Sequence, residues 1–137
     1  PLNELMNATC DAVDVRAARD ATRGGLASAL NEIADAAGCG IEISETALPL
    51  RTEVKGVCEI LGLDPLYLAN EGTLVLFVPE VEAERALDAM RSTAAGKEAV
   101  IVGRATAAHP KRVVMQTTFG GARIVDMLVG EQLPRLC

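Results

Sequence analysis

Aromatic residues are scarce in this 137-residue chain, which has one Tyr, two Phe and no Trp. A core must therefore be built mainly from aliphatic side chains and Met, and half of all residues are hydrophobic. Charged residues make up 23% of the chain, close to the share found in ordinary soluble domains. The composition therefore predicts one globular domain.

Long basic and long apolar runs are both absent. The formal net charge is −6, whereas proteins that bind nucleic acids need clustered Lys and Arg to neutralise phosphates. No apolar stretch is long enough for a membrane span, and no signal-peptide pattern precedes the first helix. We expect no nucleic-acid partner, no membrane partner and a cytoplasmic location.

The cysteines lack the spacing of a metal site. Cys10, Cys39, Cys58 and Cys137 form no C-x-x-C pair and no cluster with histidine, so no metal is expected. The first three are interpreted as small hydrophobic residues. The single histidine, His109, is interpreted as an exposed loop residue.

Hydrophobic periodicity predicts helices interleaved with strands and a strand-rich end. This order favours an α+β fold, an α/β sandwich with a mixed sheet. A tight turn at Gly120-Gly121 is expected to lead into the last strand. The domain is predicted over residues 2–129, followed by a flexible tail over 130–137. The helices are predicted over residues 2–13, 26–37, 53–61 and 80–91. The strands are predicted over 15–19, 40–43, 73–78, 99–106 and 112–118 and from residue 123.

The third helix carries an apolar stripe of Val54, Val57, Cys58 and Leu61 at helical spacing. Thr52 is expected to cap its start. Cys58 is accordingly interpreted as a core residue.

A first candidate site lies directly before the second helix, in Asp20-Ala-Thr-Arg-Gly-Gly25. Amide groups at a helix start are unpaired, glycines let an anion approach closely, and an Arg adds positive charge. The alternative is that Asp20 or Thr22 caps the helix and the glycines serve packing. The candidates for contact with phosphate or nucleotide are Asp20, Thr22, Arg23, Gly24 and Gly25.

A second candidate is Glu71, which lies in a turn between Asn70 and Gly72 just before a strand. Glutamate is a common general base, and catalytic residues often occupy such loops. The alternative is a solvated loop carboxylate.

A third candidate is the chain end, Leu133-Pro-Arg-Leu-Cys137. A thiol on the last residue can enter a narrow pocket end-first. Pro134 stiffens the tail, and Arg135 would favour a thiolate or phosphate nearby. The alternatives are an inert thiol and a truncation artefact.

Three segments together resemble the HypE family within the AIR-synthase-like superfamily: RDATRGGLASALNEIA, CEILGLDPLYLANEG and TTFGGARIVDMLVGEQLPRLC. The terminal PRLC is the most specific, because the family ends in Pro-Arg-Ile-Cys; here Leu136 replaces Ile. The LGLDPLYLANEG stretch is more specific than TRGG, which several relatives share.

The resemblance implies a carbamoyl dehydratase of hydrogenase maturation. A carbamoyltransferase, HypF, would load Cys137. With ATP and Mg²⁺ the thiocarboxamide would become a thiocyanate, and its cyanide would pass to iron on the HypC–HypD complex. Glu71 matches the ANEG motif and becomes the candidate base. The family also implies a homodimer and an N-terminal ATP-binding domain that this chain lacks, so the chain alone is expected to bind ATP poorly and to be inactive.

Two alternatives remain open. The chain could be the same domain of an enzyme of purine, thiamine or selenophosphate synthesis, although these enzymes need no terminal cysteine carrier. It could also be a non-catalytic module for dimerisation or partner docking.

Overall fold

The computed structural model describes residues 2–127. These residues form four α-helices and six strands, in the predicted order. Three short 3₁₀ turns, Glu45–Ala47, Pro65–Tyr67 and Glu80–Glu82, join some of them. In chain order the elements are α1 (Asn3–Ala12), β1 (Ala17–Asp20), α2 (Gly25–Ala37), β2 (Gly40–Ser44), α3 (Thr52–Leu61), β3 (Leu74–Phe77), α4 (Ala83–Arg91), β4 (Gly103–Thr106), β5 (Val113–Gln116) and β6 (Ala122–Val125).

The strands form two sheets. A four-stranded sheet has the order β4-β2-β5-β6, in which β2 and β5 are parallel and the other pairs antiparallel. A separate two-stranded sheet pairs β1 with β3 in antiparallel register, so that Asp20 lies opposite Leu74. The predicted α+β fold with a mixed sheet is therefore confirmed.

Helix α2 packs on the four-stranded sheet and contributes much of the core. Its buried side chains follow helical spacing, with Ala27, Leu30 and Ala34 on one face. The buried residues of β2 and β5 lie opposite each other in register, as Ile41 does with Val113. Helix α1 packs against α4.

Helix α3 departs from prediction in two ways. Its N-cap is Arg51 and no side chain caps it, so the expected cap at Thr52 is wrong; Thr52 is already the first helical residue. Of the predicted stripe only Cys58 is buried, which confirms that residue as core, whereas Val57 and Leu61 are more than half exposed. Helix α3 packs mainly on the 3₁₀ turn Pro65–Tyr67. This small surface does not cover the rest of the apolar stripe.

The strand predicted over 99–106 is shorter than expected, since only Gly103–Thr106 pairs with β2. The helix predicted over 80–91 begins as a 3₁₀ turn and becomes α-helical at Ala83. The turn before β6 is confirmed: the Gly120 amide donates to Thr117 O and closes the loop. None of the helices in residues 2–127 has the length and apolarity that a membrane span requires.

Candidate functional site

The segment Asp20–Gly25 connects the end of β1 to the start of α2. Gly24, the N-cap, and Gly25 both have left-handed backbone conformations, with φ of 70° and 62°. Glycine adopts this conformation without steric cost. No side chain caps α2, so the alternative in which Asp20 or Thr22 caps the helix is wrong. The Gly25 amide donates to Thr22 O at 3.2 Å. No side chain accepts from the amides that follow it, which are therefore the ones that could face an anion.

Gly25 also has a packing role, as the alternative interpretation proposed. A Cβ built on Gly25 would lie 2.5 Å from Leu66 O and 2.5 Å from Leu68 O. These distances leave no room for any side chain. The backbone at the start of α2 therefore packs directly against the backbone of the turn Pro65–Tyr67.

A small cavity of about 190 Å³ opens beside this segment. The two arginines that line it differ in whether they form an ion pair. Arg19 is paired with Glu32, whereas Arg23, which is exposed, forms no salt bridge with any residue between 2 and 127. Arg23 is thus available to an incoming anion. The cavity is lined by Arg19, Asp20, Thr22, Arg23, Ala29 and Glu32.

The loop that carries Glu71 lies against the same segment. The Asn70 amide donates to Ala21 O, and the Ala21 amide donates to Thr73 O, both at 3.0 Å. Glu71 itself is exposed, in a turn with Gly72. Two motifs that are far apart in sequence are therefore adjacent in the fold, because the backbone of the Glu71 loop is hydrogen-bonded to Ala21.

Cys137, Pro134 and Arg135 fall outside the described residues 2–127. His109 is exposed in the loop before β5, as predicted. Across residues 2–127, no three His, Cys, Asp or Glu side chains gather in a way that could hold a metal ion.

Sequence reasoning missed the side chains that hold the end of β6. Asn31 donates from its amide nitrogen to Val125 O at 2.8 Å, and the Tyr67 hydroxyl donates to Asp126 O at 2.9 Å. Burial raises the pKa of the Tyr67 hydroxyl above its ordinary value. Two signals were available: Tyr67 is the only tyrosine, and Asn31 is a poor helix former within a helix rich in Ala and Leu.

The sequence matches the family described as "AIR synthase related protein, C-terminal domain" over residues 2–116. The chain belongs to this family. Within it, the similarity is to HypE proteins. It is 73% identical over 123 residues to "Carbamoyl dehydratase HypE" of Rhodobacter capsulatus, covering 90% of this chain and 36% of that protein. It is 50% identical over 137 residues to "Carbamoyl dehydratase HypE" of Azotobacter vinelandii, covering 99% of this chain and 40% of that protein.

The chain is also similar to solved structures of HypE proteins. E. coli HypE superposes with a TM-score of 0.92 at 46% identity, over 99% of this chain and 42% of that one. A HypE–HypF complex gives a TM-score of 0.86 at 42% identity, over 93% and 42%. HypE in complex with ATP gives 0.83 at 47% identity, over 90% and 38%. The chain thus spans about two fifths of the length of the relatives it matches.

Proposed function

We propose that this chain is the C-terminal part of an ATP-dependent carbamoyl dehydratase of [NiFe]-hydrogenase maturation, with Cys137 as the carrier of the reacting group. The observation that carries the proposal is the 73% identity to a protein named carbamoyl dehydratase, together with the PRLC terminus. The HypE names of the relatives favour this function over purine, thiamine or selenophosphate synthesis.

In the proposed reaction the sulfur of Cys137 bears a carboxamide. When bound, ATP supplies the phosphoryl group that turns the carboxamide oxygen into a phosphate leaving group. A base removes the nitrogen protons, the C–O bond breaks, and a C≡N group remains on sulfur. Thiocarboxamide and ATP thus become thiocyanate, ADP and phosphate.

The residues at the start of α2 and on the Glu71 loop are suited to part of this reaction. The start of α2, which no side chain caps, and Arg23, which has no ion pair among residues 2–127, suit the phosphates of ATP. Asp20 is the carboxylate of this segment and would contact the accompanying Mg²⁺. Glu71 lies on the adjoining loop and would act as the base.

The partners follow from the same proposal. A HypE–HypF complex is among the similar structures, so we expect HypF to load Cys137. The HypC–HypD complex would receive the cyanide, and the full-length protein would be a cytoplasmic homodimer with an N-terminal ATP-binding domain.

The test uses the full-length protein with the carbamoyltransferase, carbamoyl phosphate and ATP, followed by mass spectrometry of the tail peptide. We expect the mass of one carbamoyl group to appear and then the loss of one water. Cys137→Ala is expected to abolish both changes. Cys10→Ala, which removes an exposed thiol elsewhere, is the matched control. Label on another cysteine would contradict the proposal.

Glu71→Gln separates the two steps. Because the base acts after loading, carbamoylation is expected to proceed at the normal rate while dehydration slows by roughly 10²–10⁴-fold. Glu59→Gln, a substitution of an exposed acid on α3, is expected to change neither step. Dehydration at the normal rate in Glu71→Gln would remove Glu71 from the mechanism.

A docking role is a second candidate, and the exposed apolar side chains of α3 favour it. Gel filtration of this chain with the carbamoyltransferase tests it. A complex that survives deletion of residues 131–137 would place the contact on the folded domain. Failure to form any complex would count against docking by this chain.

A further inference from the structure

Two side chains hold the backbone at the end of β6, a few residues before the predicted C-terminal tail, residues 130–137. The Asn31 amide nitrogen on α2 donates to Val125 O at 2.8 Å and also to Ala27 O at 2.9 Å, which engages both of its hydrogens. The Tyr67 hydroxyl donates to Asp126 O at 2.9 Å. Two consecutive carbonyls are thus bound from two different elements, which restrains the direction of the chain as well as its position.

A third contact joins β6 to the same turn. Arg123 on β6 pairs with Asp64, and the other carboxylate oxygen of Asp64 accepts from the Leu66 amide at 3.0 Å. Asp64 therefore caps the turn Pro65–Tyr67 and ties it to β6. This contact supports the geometry from which Tyr67 reaches Asp126.

The two elements that supply Asn31 and Tyr67 meet at the candidate phosphate segment. Helix α2 begins at Gly25, and Gly25 packs directly against the carbonyls of Leu66 and Leu68. Asn31 lies on that helix and Tyr67 on that turn. The end of β6 is therefore linked to Asp20–Gly25 through α2 and the turn Pro65–Tyr67, which pack directly against each other.

We propose that Asn31 and Tyr67 are positioning residues that anchor the root of the tail at a set place relative to Asp20–Gly25. This inference rests on the proposed function, in which Cys137 must bring its carboxamide to ATP. The eleven residues from 127 to 137 limit the reach of Cys137 from Asp126 to roughly 36–40 Å. A fixed root raises the effective concentration of the reacting group at the nucleotide, whereas loading by a separate enzyme does not depend on that relation.

The test compares Tyr67→Phe, which removes only the hydroxyl, and Asn31→Ala with the wild-type full-length protein. Single-turnover dehydration of the carbamoylated protein is expected to slow roughly three- to tenfold in each variant. The rate of carbamoyl loading and the KM for ATP are expected to stay unchanged. Asn7→Ala, a substitution of an exposed Asn on α1, is the matched control.

Three outcomes would overturn the inference. Dehydration at the wild-type rate in both variants would show that the contacts are dispensable. An equal fall in loading and dehydration would show that the residues only maintain the fold. Unchanged amide hydrogen exchange at residues 125–127 in the variants would show that nothing was anchored. A wild-type protein that loads nothing would refute the proposed function, and the exchange measurement still tests the anchor.

Discussion

Helices α2 and α3 have comparable amphipathic sequences and opposite surroundings. Both place apolar residues at helical spacing, and both end at a glycine, Gly38 and Gly62. Helix α2 buries six residues against the sheet and the turn Pro65–Tyr67, whereas α3 buries only Cys58. Periodicity therefore predicts that a helix forms, while burial depends on whether the rest of the fold offers a surface for it.

The contrast extends to function. Within residues 2–127, the candidate site residues lie at the uncapped start of α2, in the segment before it, and on the Glu71 loop, which is hydrogen-bonded to Ala21. Asn31, which holds the end of β6, also lies on α2. Helix α3 bears no candidate residue and instead exposes Val57, Ile60 and Leu61. The candidate site residues and the exposed apolar side chains of α3 thus lie on different elements of the fold.

The largest expected effect comes from equal truncations on the two helices. Leu30→Ala removes a side chain that is 1% exposed and is expected to lower the free energy of unfolding by about 2–5 kcal/mol. Leu61→Ala removes one that is 62% exposed, with an expected change within about 0.5 kcal/mol. Urea unfolding measures both. Equal losses would contradict the contrast, and a larger loss for Leu61→Ala in the full-length protein would show that α3 is covered there.

A smaller effect is expected from glycines at the two ends of α2. Gly25→Ala introduces an unfavourable backbone conformation and a clash with two carbonyls, for an expected loss of about 2–4 kcal/mol. Gly38→Ala has the same kind of backbone conformation but open space around the new methyl group, so about 1 kcal/mol is expected. The difference between the two unfolding free energies isolates the contact with the turn Pro65–Tyr67. Equal losses would show that the contact with the turn Pro65–Tyr67 does not contribute to the difference in unfolding free energy.

The smallest effect has the opposite sign. Gly56 lies inside α3, and a Cβ built there meets nothing within 4 Å. Gly56→Ala is expected to stabilise the chain by about 0.5–1 kcal/mol, because alanine loses less backbone entropy in a helix. Thermal unfolding measures this change. A loss of stability would mean that α3 is packed more closely than the fold indicates.

Local signals were sufficient for most elements. The four helices and the hairpin at Gly120 were predicted because apolar spacing and turn residues act over a few neighbouring positions. The cap at Thr52 was predicted wrongly because the helix starts one residue earlier than a threonine cap would require. The strand over 99–106 was overestimated because pairing with β2 reaches only Gly103–Thr106.

The sequence by itself determined the α+β order of elements, the scarcity of aromatic core residues and the three segments that resemble the HypE family. Only the tertiary structure decided that the Glu71 loop lies beside Ala21, that Gly25 touches the turn Pro65–Tyr67, and that Asn31 and Tyr67 hold the end of β6. The physical reason is distance along the chain. Contacts between remote segments depend on how several elements pack together, and no local periodicity encodes that packing.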